Sequence, residues 1–240
     1  VPSRPGYGGT PLGTGPSPDV FADVVAQLCG KLGIDQLAVA VGISAGGPTA
    51  VAMAARHPQL VQRLILQSAV GPLSWPDRLT RAAGRVLFNA RTEALVWRLT
   101  HALLRRYPTV GLRLLLRDLT TLPIRTALAG LGNEHRQALV DLLMQLRSRA
   151  GFANDLRCLA QGVSQQITEV TQPTLVIATR ADGSVPFAHA QALAAGIPRA
   201  QLLTSGADTH FIWFGEGYPR ISDEIAQFLS SPGGTVRGTA

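Results

Sequence analysis

The sequence predicts an α/β fold built on a mostly parallel sheet, and three observations carry that prediction. The apolar runs LAVAV (37–41), RLILQS (63–68) and TLVIA (174–178) are near-continuous rather than alternating, as in strands covered on both faces. Stretches with apolar residues at helical spacing separate most of these runs, which is the crossover pattern that joins parallel strands. Between Pro72 and Glu169 the strand signals stop and Leu/Ala/Arg-rich helical text takes over, too long and too periodic for a loop. The expected organisation is therefore a core of residues 1–71 and 171–240, with 72–170 as a helical cap or lid.

Taken in order, the first helix is expected over Asp19–Leu32, where Phe21, Val24, Val25 and Leu28 repeat at helical spacing and Ser17 or Asp19 can cap the start. Gly33 separates it from a strand at Leu37–Val41. A second helix starts near Gly47 and must stop by His57, because Pro58 disfavours helical geometry in the residue before it. Arg63–Ser68 is the next strand. The insertion reads as helices over 79–106, 110–122 and 135–148. After it come a strand at Thr174–Ala178, a helix at Pro186–Ala195, a short strand at Gln201–Thr204 and an amphipathic helix at Ile221–Leu229. The tail SPGGTVRGTA is expected to be disordered.

Composition excludes several classes of function. At 240 residues and 46% hydrophobic, the chain can bury one substantial core. No run approaches the roughly 18 apolar residues of a membrane span, and VPSRPGYGGT has no signal-peptide apolar core, so the expected location is cytoplasmic. Cys29 and Cys158 lack metal-ligand spacing and are expected to be buried, reduced packing residues. Residues 72–170 hold 14 Arg against 7 acids and the remainder 8 basic against 8 acidic residues, so the insertion carries the whole net charge of +7. Such a field suits a phosphate-bearing substrate, an acidic carrier protein or a membrane surface, although dispersed arginines also make an ordinary solvated helical face. No metal constellation, dinucleotide fingerprint or nucleic-acid motif is present, and no cofactor is expected.

The chemistry concentrates in AVAVGISAGG. Gly42-Ile43-Ser44-Ala45-Gly46 matches G-x-S-x-G at a junction of strand and helix, the setting in which a serine at a sharp turn becomes an exposed nucleophile. Gly42 and Gly46 keep strand and helix close, and the Ala45 N–H at a helix N-terminus can stabilise an oxyanion. A serine nucleophile also needs a base and a group that orients the base. Asp182 follows the strand TLVIA, and His210 follows the next strand. C-terminal strand ends open on one edge of a parallel sheet, so the three side chains can converge there.

With these motifs the chain resembles the α/β-hydrolase family over nearly all its length. RPGYGGT resembles the loop after the family's fourth strand, GISAGG the nucleophile elbow, RADGSVP the acid loop and GADTHF the histidine loop. The resemblance implies Ser44 as nucleophile, His210 as general base and then acid, Asp182 as the orienting carboxylate, and a lid in the helical insertion. Thr179 and Thr209 stand where the family often carries glycine. The family's earlier strands, including one followed by a His-Gly turn that supplies a second oxyanion N–H, have no counterpart here. An open edge on the 37–41 strand is then expected, with homo-oligomerisation through it as one outcome; a late start site, a natural truncation or a fragment would each explain it.

Other candidates compete less well. His57 ends a helix, His101 and His135 lie in the insertion, His189 follows the acid loop, and Asp208 is an alternative acid two residues from His210. Trp75 and Trp97 read as packing residues, and Trp213 is a candidate border of the acyl pocket. The expected activity is hydrolysis of carboxylic esters with apolar acyl or aromatic groups through an acyl-enzyme on Ser44. Thioester hydrolysis on coenzyme A or carrier-bound acyl groups is the enzymatic alternative. A truncated relative lacking one oxyanion donor, at a cost on the order of a hundredfold to a thousandfold in turnover, is the non-catalytic one.

Overall fold

The computed structural model describes residues 1–89, 91–160 and 166–231. Four parallel strands form one sheet in chain order: β1 (Ala40–Ile43), β2 (Leu64–Gln67), β3 (Thr174–Thr179) and β4 (Ala200–Ser205). Their register sets Gly42 beside Leu66, Leu66 beside Val176, and Val176 beside Leu202. Helix α1 (Pro18–Lys31) precedes β1, and α2 (Gly47–Arg56) joins β1 to β2. Between β2 and β3 run α3 (Arg78–Leu87), α4 (Glu93–Arg106), α5 (Pro108–Leu116), α6 (Ile124–Ala129), α7 (Asn133–Gln145) and α8 (Gly151–Cys158). Helix α9 (Ala188–Gly196) joins β3 to β4, and α10 (Tyr218–Ser230) follows β4.

Strand alternation divides the core between two sheet faces. Leu64, Leu66, Val176 and Ala178 meet Ala22 of α1, the alanines of α2 and Leu193 of α9. Ile65, Leu175, Ile177 and Leu203 point the other way, onto Ile221 and Phe228 of α10. Ile167 and Val170, just before β3, pack in the first of these clusters. The insertion has its own centre in Leu104, Leu112, Leu116, Leu131, Leu139 and Leu143, and Phe211 and Phe214 of the loop after β4 pack against it. No helix among the described residues is long and apolar enough to cross a membrane.

Most boundaries agree with local chemistry. The Ser17 side chain accepts a hydrogen bond from Val20 N at 3.4 Å, and Pro18 occupies the first turn of α1. Helix α2 ends at Arg56, with His57 as its C-cap before Pro58. The first strand differs from expectation: Leu37 makes only an isolated bridge to Val61, and the regular strand begins at Ala40 and continues through Gly42 to Ile43. Among the described residues no strand pairs with its outer edge, and Val41 and Ile43 are 50% and 45% exposed there. The 79–106 text is likewise two helices. Asn89 donates to Val86 O and accepts from Arg91 N, and Thr92 donates to Leu87 O, so polar side chains take over the backbone groups where α3 ends. Cys29 is buried as expected, but Cys158 is only half-buried, its thiol donating to the Pro16 carbonyl 3.2 Å away. The tail from Pro232 onward lies outside the described residues.

One loop contact makes stability pH-dependent. His189 is buried on α9 and its Nδ1 accepts from Gly71 N at 2.9 Å. Burial pushes its pKa below the ordinary histidine value, and burial, then the Arg147 charge, does the same for His101. The unfolded chain therefore takes up protons near pH 6.5 that the folded chain refuses, so stability is fully present above that pH and declines as pH falls below it. The midpoint of thermal unfolding is expected to drop between pH 7 and pH 5, and His189→Gln to flatten part of that slope in a pH series by scanning calorimetry.

Candidate active site

Ser44 sits where β1 turns into α2. A single 3-10 turn, Ser44–Gly46, links the two. The serine adopts φ +50°, a left-handed conformation that non-glycine residues hold only when surrounding structure enforces it. Enforcement comes from Val70 N, which donates to Ser44 O at 2.9 Å, and from tight packing. A Cβ on Gly42 would lie 2.8 Å from the Ala50 Cβ and 2.9 Å from the Gly47 Cα; one on Gly47 would lie 2.8 Å from the Ala69 Cβ. Those two glycines let strand, turn and helix close up. Gly46 has a different environment, since a Cβ there would meet nothing within 4 Å. The crowding expected at Gly46 falls one residue later, where Gly47 faces Ala69 and Val70 of the loop after β2.

Asp182 and His210 come to Ser44 from the ends of β3 and β4. His210 Nε2 lies 3.0 Å from Ser44 Oγ, and His210 Nδ1 lies 2.7 Å from Asp182 Oδ2. The other carboxylate oxygen of Asp182 accepts from Ser184 N and Val185 N, both at 2.8 Å, so this buried carboxylate is fully hydrogen-bonded and has one oxygen left for the imidazole. Asp208, the alternative acid, instead offers its backbone carbonyl to the Thr120 hydroxyl. Ser44 is half-buried and His210 buried, which leaves the serine as the reachable member.

The surroundings of Ala45 mix core and insertion. Ala45 packs with Val70, Trp75, Leu159, Val185, Phe152 and Cys158, an apolar wall drawn from the loop after β2, the acid loop and α8. A cleft of about 20 Å³ opens beside Ala45 between Pro16, Thr49 of α2 and Asp155 of α8. Trp213 lies elsewhere: it packs with the cluster of the α10 face and donates Nε1 to Gln67 Oε1 at 2.7 Å. Trp75 is the tryptophan beside Ala45, its Nε1 donating to Ser184 O at 2.7 Å. Of the other histidines, His57 pairs with Asp23 at 2.9 Å, His101 packs on Trp97 and His135 on Phe214.

Sequence reasoning missed a partly buried polar cluster at the rim of this wall. Arg4 makes two 2.7 Å bonds to the two carboxylate oxygens of Asp155, and the Tyr7 hydroxyl donates to the same carboxylate at 2.6 Å. Burial, then the Asp155 charge, pushes the Tyr7 phenol far above its usual range, so it remains a donor. Arg4 and Asp155 are 151 positions apart, and no local signal links them.

The α/β-hydrolase fold family model matches residues 1–216. The chain belongs to the α/β-hydrolase fold family. An uncharacterised hydrolase of Bacillus subtilis (strain 168), YcgS, is 29% identical over 233 residues, covering 96% of this chain and 81% of the relative. A candidate carbamate hydrolase of Serratia proteamaculans (strain 568), RutD, is 30% identical over 81% of this chain and 68% of its own length. Among solved structures, an α/β-hydrolase fold protein from Nakamurella multipartita superposes with a TM-score of 0.77 at 27% identity, covering 95% of this chain and 80% of that one. The two curated relatives, YcgS and RutD, are both named as hydrolases.

Proposed function

We propose that this α/β-hydrolase is a serine hydrolase that cleaves carboxylic esters of apolar acyl or aromatic groups through an acyl-enzyme on Ser44. The observation that carries the reading is the continuous chain from Ser44 Oγ through His210 to Asp182, at 3.0 and 2.7 Å. In the productive tautomer, His210 Nδ1–H donates to Asp182 and Ser44 Oγ–H donates to His210 Nε2. Ser44 Oγ attacks the acyl carbon as its proton moves to Nε2, and the Asp182 carboxylate stabilises the imidazolium. The Ala45 N–H stabilises the oxyanion. The imidazolium protonates the leaving alkoxide; water, activated by the same nitrogen, then releases the acid.

The apolar wall of Val70, Trp75, Leu159 and Val185 beside Ala45 supports an apolar acyl group, and the helical insertion serves as the lid over it. The arginine excess of residues 72–170 favours a second reading, thioesters of coenzyme A or of an acidic carrier. Parallel assays on p-nitrophenyl butyrate and butyryl-coenzyme A test both. The ester reading expects kcat/KM on the ester to exceed that on the thioester; a reversed order would move the substrate class to thioesters, and inactivity on both would favour the non-catalytic relative.

A further inference from the structure

We propose that Thr120 of the insertion and Thr179 at the end of β3 form a two-hydroxyl clamp on the histidine loop, and are positioning residues for His210. The inference rests on the reading of His210 as the base of Ser44. Two consecutive carbonyls precede the histidine closely in the chain. The Thr179 hydroxyl donates to Ala207 O, and the Thr120 hydroxyl donates to Asp208 O at 2.6 Å. Each hydroxyl also accepts from its own chain, Thr179 Oγ1 from Ala181 N at 3.2 Å and Thr120 Oγ1 from Leu122 N at 3.1 Å, so both have a single rotor orientation left for the carbonyl.

The backbone around Thr120 completes the grip. Leu119 O accepts from His210 N at 2.8 Å, and Thr121 N donates to Ala181 O at 2.9 Å. Thr120 pairs with Asp182 in an isolated antiparallel bridge. Gly183 makes that approach possible, because a Cβ there would lie 2.7 Å from Thr120 N. Residues 119–121 thus stitch the acid loop to the histidine loop from the insertion side. On the opposite side the Ser68 hydroxyl donates to His210 O at 3.0 Å. Thr120 and Thr179 are both buried and Ala207 and Asp208 half-buried, so a lost hydroxyl leaves a partly buried carbonyl without its donor. The histidine loop then relaxes, and the imidazole shifts relative to Ser44; misplacement of a reacting group by about 1 Å costs about a hundredfold in rate.

The test is Thr120→Val, which keeps the branched shape and removes the hydroxyl, beside Thr120→Ser, which keeps the hydroxyl. Three quantities are read: kcat and KM on p-nitrophenyl butyrate, the rate of Ser44 modification by a fluorophosphonate, and the low-field NMR resonance of the proton between His210 and Asp182. T120V is expected to lower kcat and the modification rate about tenfold with KM within about twofold, and to broaden the resonance. T120S is expected to restore all three. An unchanged resonance and unchanged rates in T120V, or a T120S no better than T120V, would overturn the clamp. Failure of the wild type to react with the fluorophosphonate would overturn the nucleophile reading instead, and the resonance still decides the clamp.

Discussion

Ser44→Ala is expected to lower ester turnover by about 10⁴- to 10⁶-fold while the protein remains folded. The loss is large because the attacking oxygen itself is removed, and His210 is left with no serine hydroxyl whose proton it can take. It is confined to chemistry because Ser44 is half-buried and contributes one hydroxyl contact, the 3.0 Å approach to His210 Nε2. Alanine keeps the Cβ and so leaves the φ +50° backbone as it is. The three side chains act as a unit, so S44A/H210A is expected to be no slower than S44A alone. Steady-state assays on a p-nitrophenyl ester, with circular dichroism as the control for folding, check both statements. A variant retaining more than about a tenth of the turnover would show that the ester is cleaved elsewhere.

Asp155→Ala is expected to have the largest effect on stability, about 3–5 kcal/mol, or roughly 6–20 °C in the unfolding midpoint of a chain this size. The Asp155 side chain is 8% exposed and holds both Arg4 and Tyr7. Without it a guanidinium that is 27% exposed and a half-buried phenol lose their partner at the junction of N-terminal loop and α8. Packing there has no slack: Gly151 N donates to Gly6 O at 3.1 Å, and a Cβ on Gly151 would lie 2.2 Å from the Tyr7 ring. Asp155→Asn keeps the shape and one acceptor and is expected to lose less. Because α8 also supplies Cys158 and Phe152 to the wall around Ala45, D155A is expected to reduce turnover as well. Thermal melts of the two variants beside the wild type check the order; a midpoint within about 2 °C of wild type for D155A would contradict the account.

The central strands and the three-residue site were legible because their signals are local. Near-continuous apolar runs mark β2 and β3, and strand ends bring Ser44, Asp182 and His210 to one sheet edge. The features that escaped are those set by contacts between distant segments. Asp155 reads as one more acid on a helix until Arg4 arrives from the far end of the chain. Thr120 reads as part of a helical run until its backbone pairs with the acid loop. The two threonines that depart from the family's glycines both have structural work: Thr179 holds Ala207 O, and Thr209 Oγ1 accepts from Phe211 N at 3.2 Å. The break between α3 and α4 was readable in principle, since Asn89 and Thr92 are residues that compete with the helix for its own backbone groups.

The central claim is that Ser44 is the nucleophile, and covalent trapping tests it most directly. Purified protein is incubated with a fluorophosphonate, its intact mass is measured, and the modified peptide is sequenced beside the S44A variant. The account predicts one adduct per chain, on the peptide containing GISAGG and absent from S44A. An adduct on another residue, or a wild-type chain that stays unmodified, would contradict it.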